Sequence, residues 1–229
     1  FGSSVDREDT ILFGDYGGNN RSKIYKSSDN GKSWDIIFEF GYKEIKQILN
    51  IKWDKYEKKY WVFTGDERGE CGFFIFNEQF EKLDKHYDGT LQYRAISVFF
   101  FAECVIWITN DPYDGSKVYR YDRLTREIIM LGSFLDSVWY SKRTNDGLIF
   151  IASVVEKVGF TRDNLVKIYS SYDFNNWSQE ATFIKDSLPM KLFRYGVASF
   201  PEGDYSSQDM FINLEGVKNY DGKIIKLKI

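Results

Sequence analysis

The chain has 229 residues, 43% apolar, 28% charged and 18% aromatic, with 31 basic against 34 acidic side chains for a net charge of -3. That balance lacks the basic field on which nucleic-acid binding draws, so no nucleic-acid partner is expected. Two cysteines, Cys71 and Cys104, and one histidine, His86, are too few for a disulfide framework, a multi-cysteine zinc site or a histidine-based triad, so neither metal nor cofactor is expected.

No apolar run approaches the roughly 20 residues of a membrane-spanning helix. Phe1-Gly2-Ser3-Ser4 is neither a start methionine nor a signal peptide, so the chain reads as truncated at its N-terminus. In chain order, segments 11–14, 23–26 and 35–40 read as strands, followed by 45–53, 60–64, 72–76 and 82–87, then 93–101, 105–109, 117–121 and 127–131. Segments 138–142, 148–154, 166–170 and 177–183 follow, and 192–199, 210–214 and 223–229 close the chain. Each is short, rich in β-branched and aromatic residues, and bounded by Gly, Asp or Asn, the punctuation of hairpins. Helix-length amphipathic periods are absent.

Within this series one pattern recurs: an apolar strand, a polar turn, a second strand ending in an acid, then a hairpin. The strand-ending acids are Asp15, Asp66, Asp111, Glu156 and Glu215, spaced roughly 45 to 60 residues apart, close to the interval of a four-stranded propeller blade. The fold class is therefore all-β, a β-propeller occupying residues 1–229 as one domain. About five blades are visible. The first lacks an innermost strand and the last an outer one, as in a piece of a six- or seven-bladed ring, because a closed ring leaves no open edges.

Between segments 23–26 and 35–40, the third and outer strands of the first blade, lies the turn Ser27-Ser28-Asp29-Asn30-Gly31-Lys32-Ser33-Trp34. Ser27 and Asp29 supply turn-closing oxygens, Gly31 accepts a positive φ, and Trp34 is expected to bury its ring under the loop. A copy one residue shorter runs from Ser171 through Asp173 to Trp177, with Asn175 near the glycine position. Asp29-Asn30-Gly31 also suggests a calcium loop, but no ligand ladder or closing glutamate follows at the required spacing.

These residues resemble the BNR, or Asp-box, repeat of the sialidase-like propellers. The resemblance implies that Ser27, Asp29, Gly31 and Trp34 form a structural turn on the face away from any active site, and it implies a carbohydrate ligand. The family's enzymes carry an arginine triad, a Tyr/Glu nucleophile pair, an aspartate acid/base and an Arg-Ile-Pro type motif. No Arg-x-Pro occurs here, Pro112, Pro189 and Pro201 lie in other contexts, and no complete triad is assigned.

Alternating strand direction puts the strand-ending acids and the blade-to-blade links on the face opposite that turn. The candidate catalytic residues are Asp15, Asp66 and Asp111, and the candidate substrate-binding residues are Tyr16, Glu67, Arg94, Tyr140, Arg194 and Tyr195, with Lys46, Gln47 and Tyr93 on the same links. Carboxylates, guanidinium groups and exposed rings suit sugar hydroxyls, anionic sugars and pyranose faces. A hydrolase would need two carboxyls about 5 Å or about 6.5 to 9.5 Å apart. The competing structural reading is that acids end strands because Asp suits turns.

Three functions fit: a propeller that binds or hydrolyses glycans, a non-catalytic interaction or structural propeller in a larger extracellular or viral assembly, and a propeller polysaccharide lyase. An extracellular or cell-surface location is favoured. Asn20-Arg21-Ser22 and Asn176-Trp177-Ser178 fit the N-glycosylation pattern.

Overall fold

A computed structural model of the chain describes residues 3–5, 10–16, 21–156, 163–190, 192–227 and 229, with residues 3–5 described by their backbone. Asn20 of the first glycosylation triplet lies outside them. The described strands form five antiparallel sheets of the β-propeller class. The first contains β1 (Ser3–Val5), β2 (Ile11–Gly14), β3 (Lys23–Ser27) and β4 (Asp35–Glu39) in sequential order, and the second β5 (Ile48–Asp54), β6 (Lys59–Thr64), β7 (Gly72–Phe76) and β8 (Lys82–Tyr87). The third contains β9 (Ala95–Phe100), β10 (Cys104–Thr109), β11 (Lys117–Asp122) and β12 (Ile128–Ser133), and the fourth β13 (Ser137–Arg143), β14 (Ile149–Val154), β15 (Leu165–Ser171) and β16 (Ser178–Ile184). The last has β17 (Val197–Ser199), β18 (Phe211–Glu215) and β19 (Lys223–Lys226). Among the described residues no helix is long and apolar enough to cross a membrane.

The first sheet holds one strand more than its sequence suggested. Ser3–Val5 pairs antiparallel with β2, Ser3 opposite Phe13 and Val5 opposite Ile11. Three residues of which two are serine carry almost no apolar signal, so β1 is set by its partner strand.

Two compact units emerge, one of Phe1–Thr109 with Arg120–Ile128 and the other of Asn110–Tyr119 with Ile129–Ile229. In the first, Leu12 and Ile24 pack with Phe40, Ile48, Val62, Phe74 and Phe76, joining the first two sheets. On the other side of the second sheet, Trp61 lies against Phe73, Phe100 and Tyr121 at ring separations of 4.7, 6.1 and 5.5 Å. Strands β6 and β7 are covered on both faces and are buried along almost their whole length, which explains the apolar runs Tyr60–Phe63 and Phe73–Phe76, whereas the outer strand β8 is largely exposed. In the second unit, Phe150, Ala152, Val166 and Ile168 pack with Ala198, Met210, Ile212 and Leu214.

A buried ion pair also ties the second sheet to the third in the first unit. Arg123 Nη1 approaches Asp54 Oδ2 at 2.6 Å and Glu57 at 3.1 Å, and its Nε–H donates to the Phe101 carbonyl at 3.0 Å. The approach to Asp54 is an ion pair without aligned hydrogen-bond geometry, and Nη2 has no hydrogen-bond partner among the described residues.

The turns from third to outer strand are closed by their own side chains. At β3–β4, the Gly31 N–H donates to Ser27 Oγ at 2.8 Å, the Ser33 N–H and hydroxyl donate to Asp29 at 2.9 and 2.7 Å, and the Trp34 indole N–H donates to the Gly31 carbonyl at 3.1 Å. Gly31 has φ +83°, as expected. Trp34, expected under the loop, is instead 43% exposed and rests edge-on against Phe13 at 6.4 Å. At β15–β16 the glycine position falls to Phe174, not Asn175: Phe174 has φ +63° and its carbonyl accepts the Trp177 indole N–H at 3.0 Å. Counted from its opening serine, Phe174 stands where Asn30 does, and Asn30 has φ +58°; the shorter loop makes one left-handed step where the longer one makes two, at Asn30 and Gly31. The β7–β8 and β11–β12 turns use Asn77 Oδ1, accepting from Gln79 and Glu81, and Asp122 Oδ1, accepting from Leu124 and Thr125.

Candidate functional site

In the first unit the β6–β7 loop is held rigidly. Gly65 at φ +108° opens it, and the Gly65 N–H donates to the Gln47 carbonyl at 2.9 Å. A Cβ at Gly65 would lie 2.7 Å from Cys71 Cα and 2.8 Å from its nitrogen. The Tyr87 hydroxyl donates to the Gly69 carbonyl at 2.6 Å, and the Gly69 N–H to the Gly89 carbonyl at 2.8 Å.

This loop presents Asp66 and Glu67 to side chains from three other segments. Lys46, just before β5, lies 3.2 Å from Asp66 Oδ2 and 2.9 Å from Glu67 Oε1, and Arg94, just before β9, lies 3.2 Å from Asp66 Oδ1. Tyr16, after β2, donates its hydroxyl to Asp66 Oδ2 at 3.3 Å, and Lys46 Nζ sits 5.5 Å from the centre of its ring. Tyr16 is 53% exposed. Partial burial alone would raise the Asp66 carboxyl, but hydrogen bonds and charge from Lys46 and Arg94 outweigh it and hold the group below its ordinary range. Hydrogen bonding to Tyr16, Glu67 and Asp66 in turn keeps Lys46 protonated well above its usual range. The result is a neutral patch of two cations and two carboxylates beside an exposed phenol ring.

Asp15 is separately engaged: its carboxylate accepts the Lys23 N–H at 2.7 Å and the Tyr25 hydroxyl at 3.4 Å, closing the start of β3. In the second unit Asp111 is buried, accepts the Tyr113 and Asp114 N–H groups at 2.9 and 3.0 Å, and lies 3.5 Å from Lys117. Both carboxylates therefore fasten their own loops. Arg94, Tyr16 and Lys46 converge on Asp66, and Lys46 also holds Glu67; Asp15 and Asp111 have local partners.

The other second-unit residues form their own group. Arg194 Nη1 lies 2.7 Å from Glu215 Oε2, and burial together with Glu215 pushes the Tyr140 phenol up. Tyr195 stands edge to face with Trp139, ring centres 5.5 Å apart. Trp139 was not a sequence candidate; the irregular register at Val138/Tyr140 that aims it has no sequence signature. Among the described residues no three His, Cys, Asp or Glu side chains gather as a metal site.

No family model matches the sequence, and no curated protein matches it. Solved structures do. The GH74 xyloglucanase from Xanthomonas campestris superposes with a TM-score of 0.64 at 10% identity, over 96% of this chain and 35% of that one. The β-propeller domain of the Trilobed protease from Pyrococcus furiosus gives 0.54 at 13% identity, over 99% and 70%, and the WD40 β-propeller domain of Doa1 gives 0.55 at 12%, over 93% and 60%. The chain thus spans about a third of the xyloglucanase and less than two thirds of the Doa1 domain. At these identities the likeness is one of fold: the chain is a β-propeller.

Proposed function

We propose that this propeller, of the Asp-box type suggested by its Ser27–Trp34 turn, binds carbohydrate on the face opposite that turn and does not hydrolyse it. The observation that carries this reading is the cluster of Tyr16, Lys46, Asp66, Glu67 and Arg94. An exposed ring offers a platform for the C–H face of a pyranose, and fixed donors and acceptors at its edge match sugar hydroxyls. A glycosidase also needs a carboxylic acid whose pKa is raised so that it can protonate the leaving oxygen. Asp66 is shifted the other way, and Asp15 and Asp111 are occupied by their own loops.

A glycan array followed by calorimetric titration tests this. Binding of neutral oligosaccharides is expected, with Tyr16→Ala weakening it about tenfold, the equivalent of one lost ring contact, and no sugar released. No binding to any glycan, or turnover abolished by Asp66→Asn, would overturn it.

A protein-docking role in a larger assembly is the second reading, favoured by Leu188, Leu192 and Phe193, all exposed on the link into β17. Native mass measurement of material recovered from its source would reveal a bound partner, and a partner-free monomer would count against it.

A further inference from the structure

We infer that Trp139, Tyr195, Glu156 and Arg194 in the second unit form a separate carbohydrate subsite for neutral pyranosides. The ligand class rests on the carbohydrate reading above; the residues and geometry are independent of it.

The starting observation is a break in the repeat. Pairing of the innermost strand with the second is irregular at one place in three sheets: the register passes over Leu49 in β5, Ile96 in β9 and Trp139 in β13. Such bulges re-aim a side chain. In the second and third sheets the displaced residue is aliphatic, so the bulge itself requires no aromatic ring. In the fourth sheet it is the largest side chain of all, half-buried and turned toward polar groups.

Those groups are ordered. Glu156 Oε1 accepts the Trp139 indole N–H at 2.5 Å and the Ser137 hydroxyl at 2.9 Å, and Ser137 Oγ accepts from Asn110 at 3.0 Å. Oε2 of Glu156 has no hydrogen-bond partner among the described residues, so one oxygen is anchored and the other is available. Tyr195, 40% exposed, meets Trp139 at an interplanar angle of 72°, and the two rings make an apolar corner. Arg194 is 68% exposed at its side chain and uses Nη1 on Glu215. A corner of two rings, an oriented acceptor oxygen and a guanidinium edge matches a pyranose: its C–H face on a ring, a hydroxyl on Glu156, a ring or hydroxyl oxygen on Arg194. Glu156 and Glu215 against Arg194 leave one net negative charge, which disfavours a carboxylated sugar.

The test is an NMR titration of the full chain with cellohexaose and maltohexaose as neutral probes and sialyllactose as the anionic one. The Trp139 indole N–H signal, assigned by its loss in Trp139→Phe, is expected to move with a neutral probe. Tyr195→Ala and Glu156→Gln should each weaken that response about tenfold, and sialyllactose should leave it unmoved. An unmoved Trp139 signal while Tyr16→Ala still reduces binding overturns the second subsite and spares the first. A Trp139 response in a chain whose binding is indifferent to Tyr16→Ala overturns the first and spares the second. No binding of either hexaose overturns both, and equal response to sialyllactose overturns the neutral class. Tyr195 is exposed, so its truncation leaves the fold intact.

Discussion

Replacing Arg123 with methionine keeps most of the side-chain volume and removes the charge facing Asp54 in the first unit. Asp54 is fully buried and Arg123 is 8% exposed, with 2.6 Å between them, so the variant leaves a carboxylate in the interior without its counter-charge. Breaking a buried pair from one side costs about 3 to 5 kcal/mol. The lost hydrogen bond to Phe101 belongs to that figure, and the more exposed Glu57 adds little. We expect about 4 kcal/mol, or roughly 10 °C in melting temperature for a domain of this size. Urea unfolding followed by tryptophan fluorescence would measure it, with an unchanged denaturant slope showing that the effect lies in stability. Adding Asp54→Asn removes the stranded charge while keeping the acceptor for the Tyr56 N–H, and should recover more than half the loss. A single-variant cost under about 1 kcal/mol, or a double variant no better than the single, would refute the reasoning.

Gly65→Ala places a methyl group against the Cys71 backbone at a positive φ and should cost about 3 kcal/mol or more, with loss of the Asp66 cluster; Gly69→Ala, at φ +94° with open space around it, should cost only about 1 kcal/mol by the same melt. The depressed Asp66 carboxyl contributes stability that is present above its ordinary range and lost as pH falls through its folded value. Acid unfolding below about pH 4 should therefore become less steep in Asp66→Asn. Trp61→Phe should be milder than Trp107→Phe by about 1 to 2 kcal/mol in denaturant melts. The buried Trp61 indole N–H has no partner among the described residues, whereas that of Trp107 donates to the Gln92 carbonyl at 2.6 Å.

Strand positions were readable because burial here is a property of whole segments. The central strands β6, β7 and β10 are buried along almost their whole length and carry mostly apolar residues, and outer strands such as β8 turn polar. What escaped were features set by partners. β1 has no apolar pattern of its own, the bulge at Trp139 depends on registration against β14, and Phe174, a bulky residue, adopts the left-handed conformation that Asn30 takes at the same offset of the other turn. Asp15, Asp66 and Asp111 look alike in sequence, each an acid after a strand. They diverge because the nearest donors of Asp15 and Asp111 are local amides, while Asp66 is met by Lys46 and Arg94 from the links before β5 and β9. Lys46 and Arg94 were legible as link residues, but their partner was not.

The turns at Asp29, Asn77, Asp122 and Asp173 are each closed by an oxygen within a few residues of the amides it receives, so their order waits on no distant segment. Hairpins of this kind form in microseconds, whereas seating Arg123 on Asp54 requires a much longer loop to close first. The outer ribbons are therefore built early along the folding route and the inter-blade ion pair late. Disrupting one of these turns is expected to slow folding, and Arg123→Met to act mainly by hastening unfolding, a split that stopped-flow folding and unfolding rates would read.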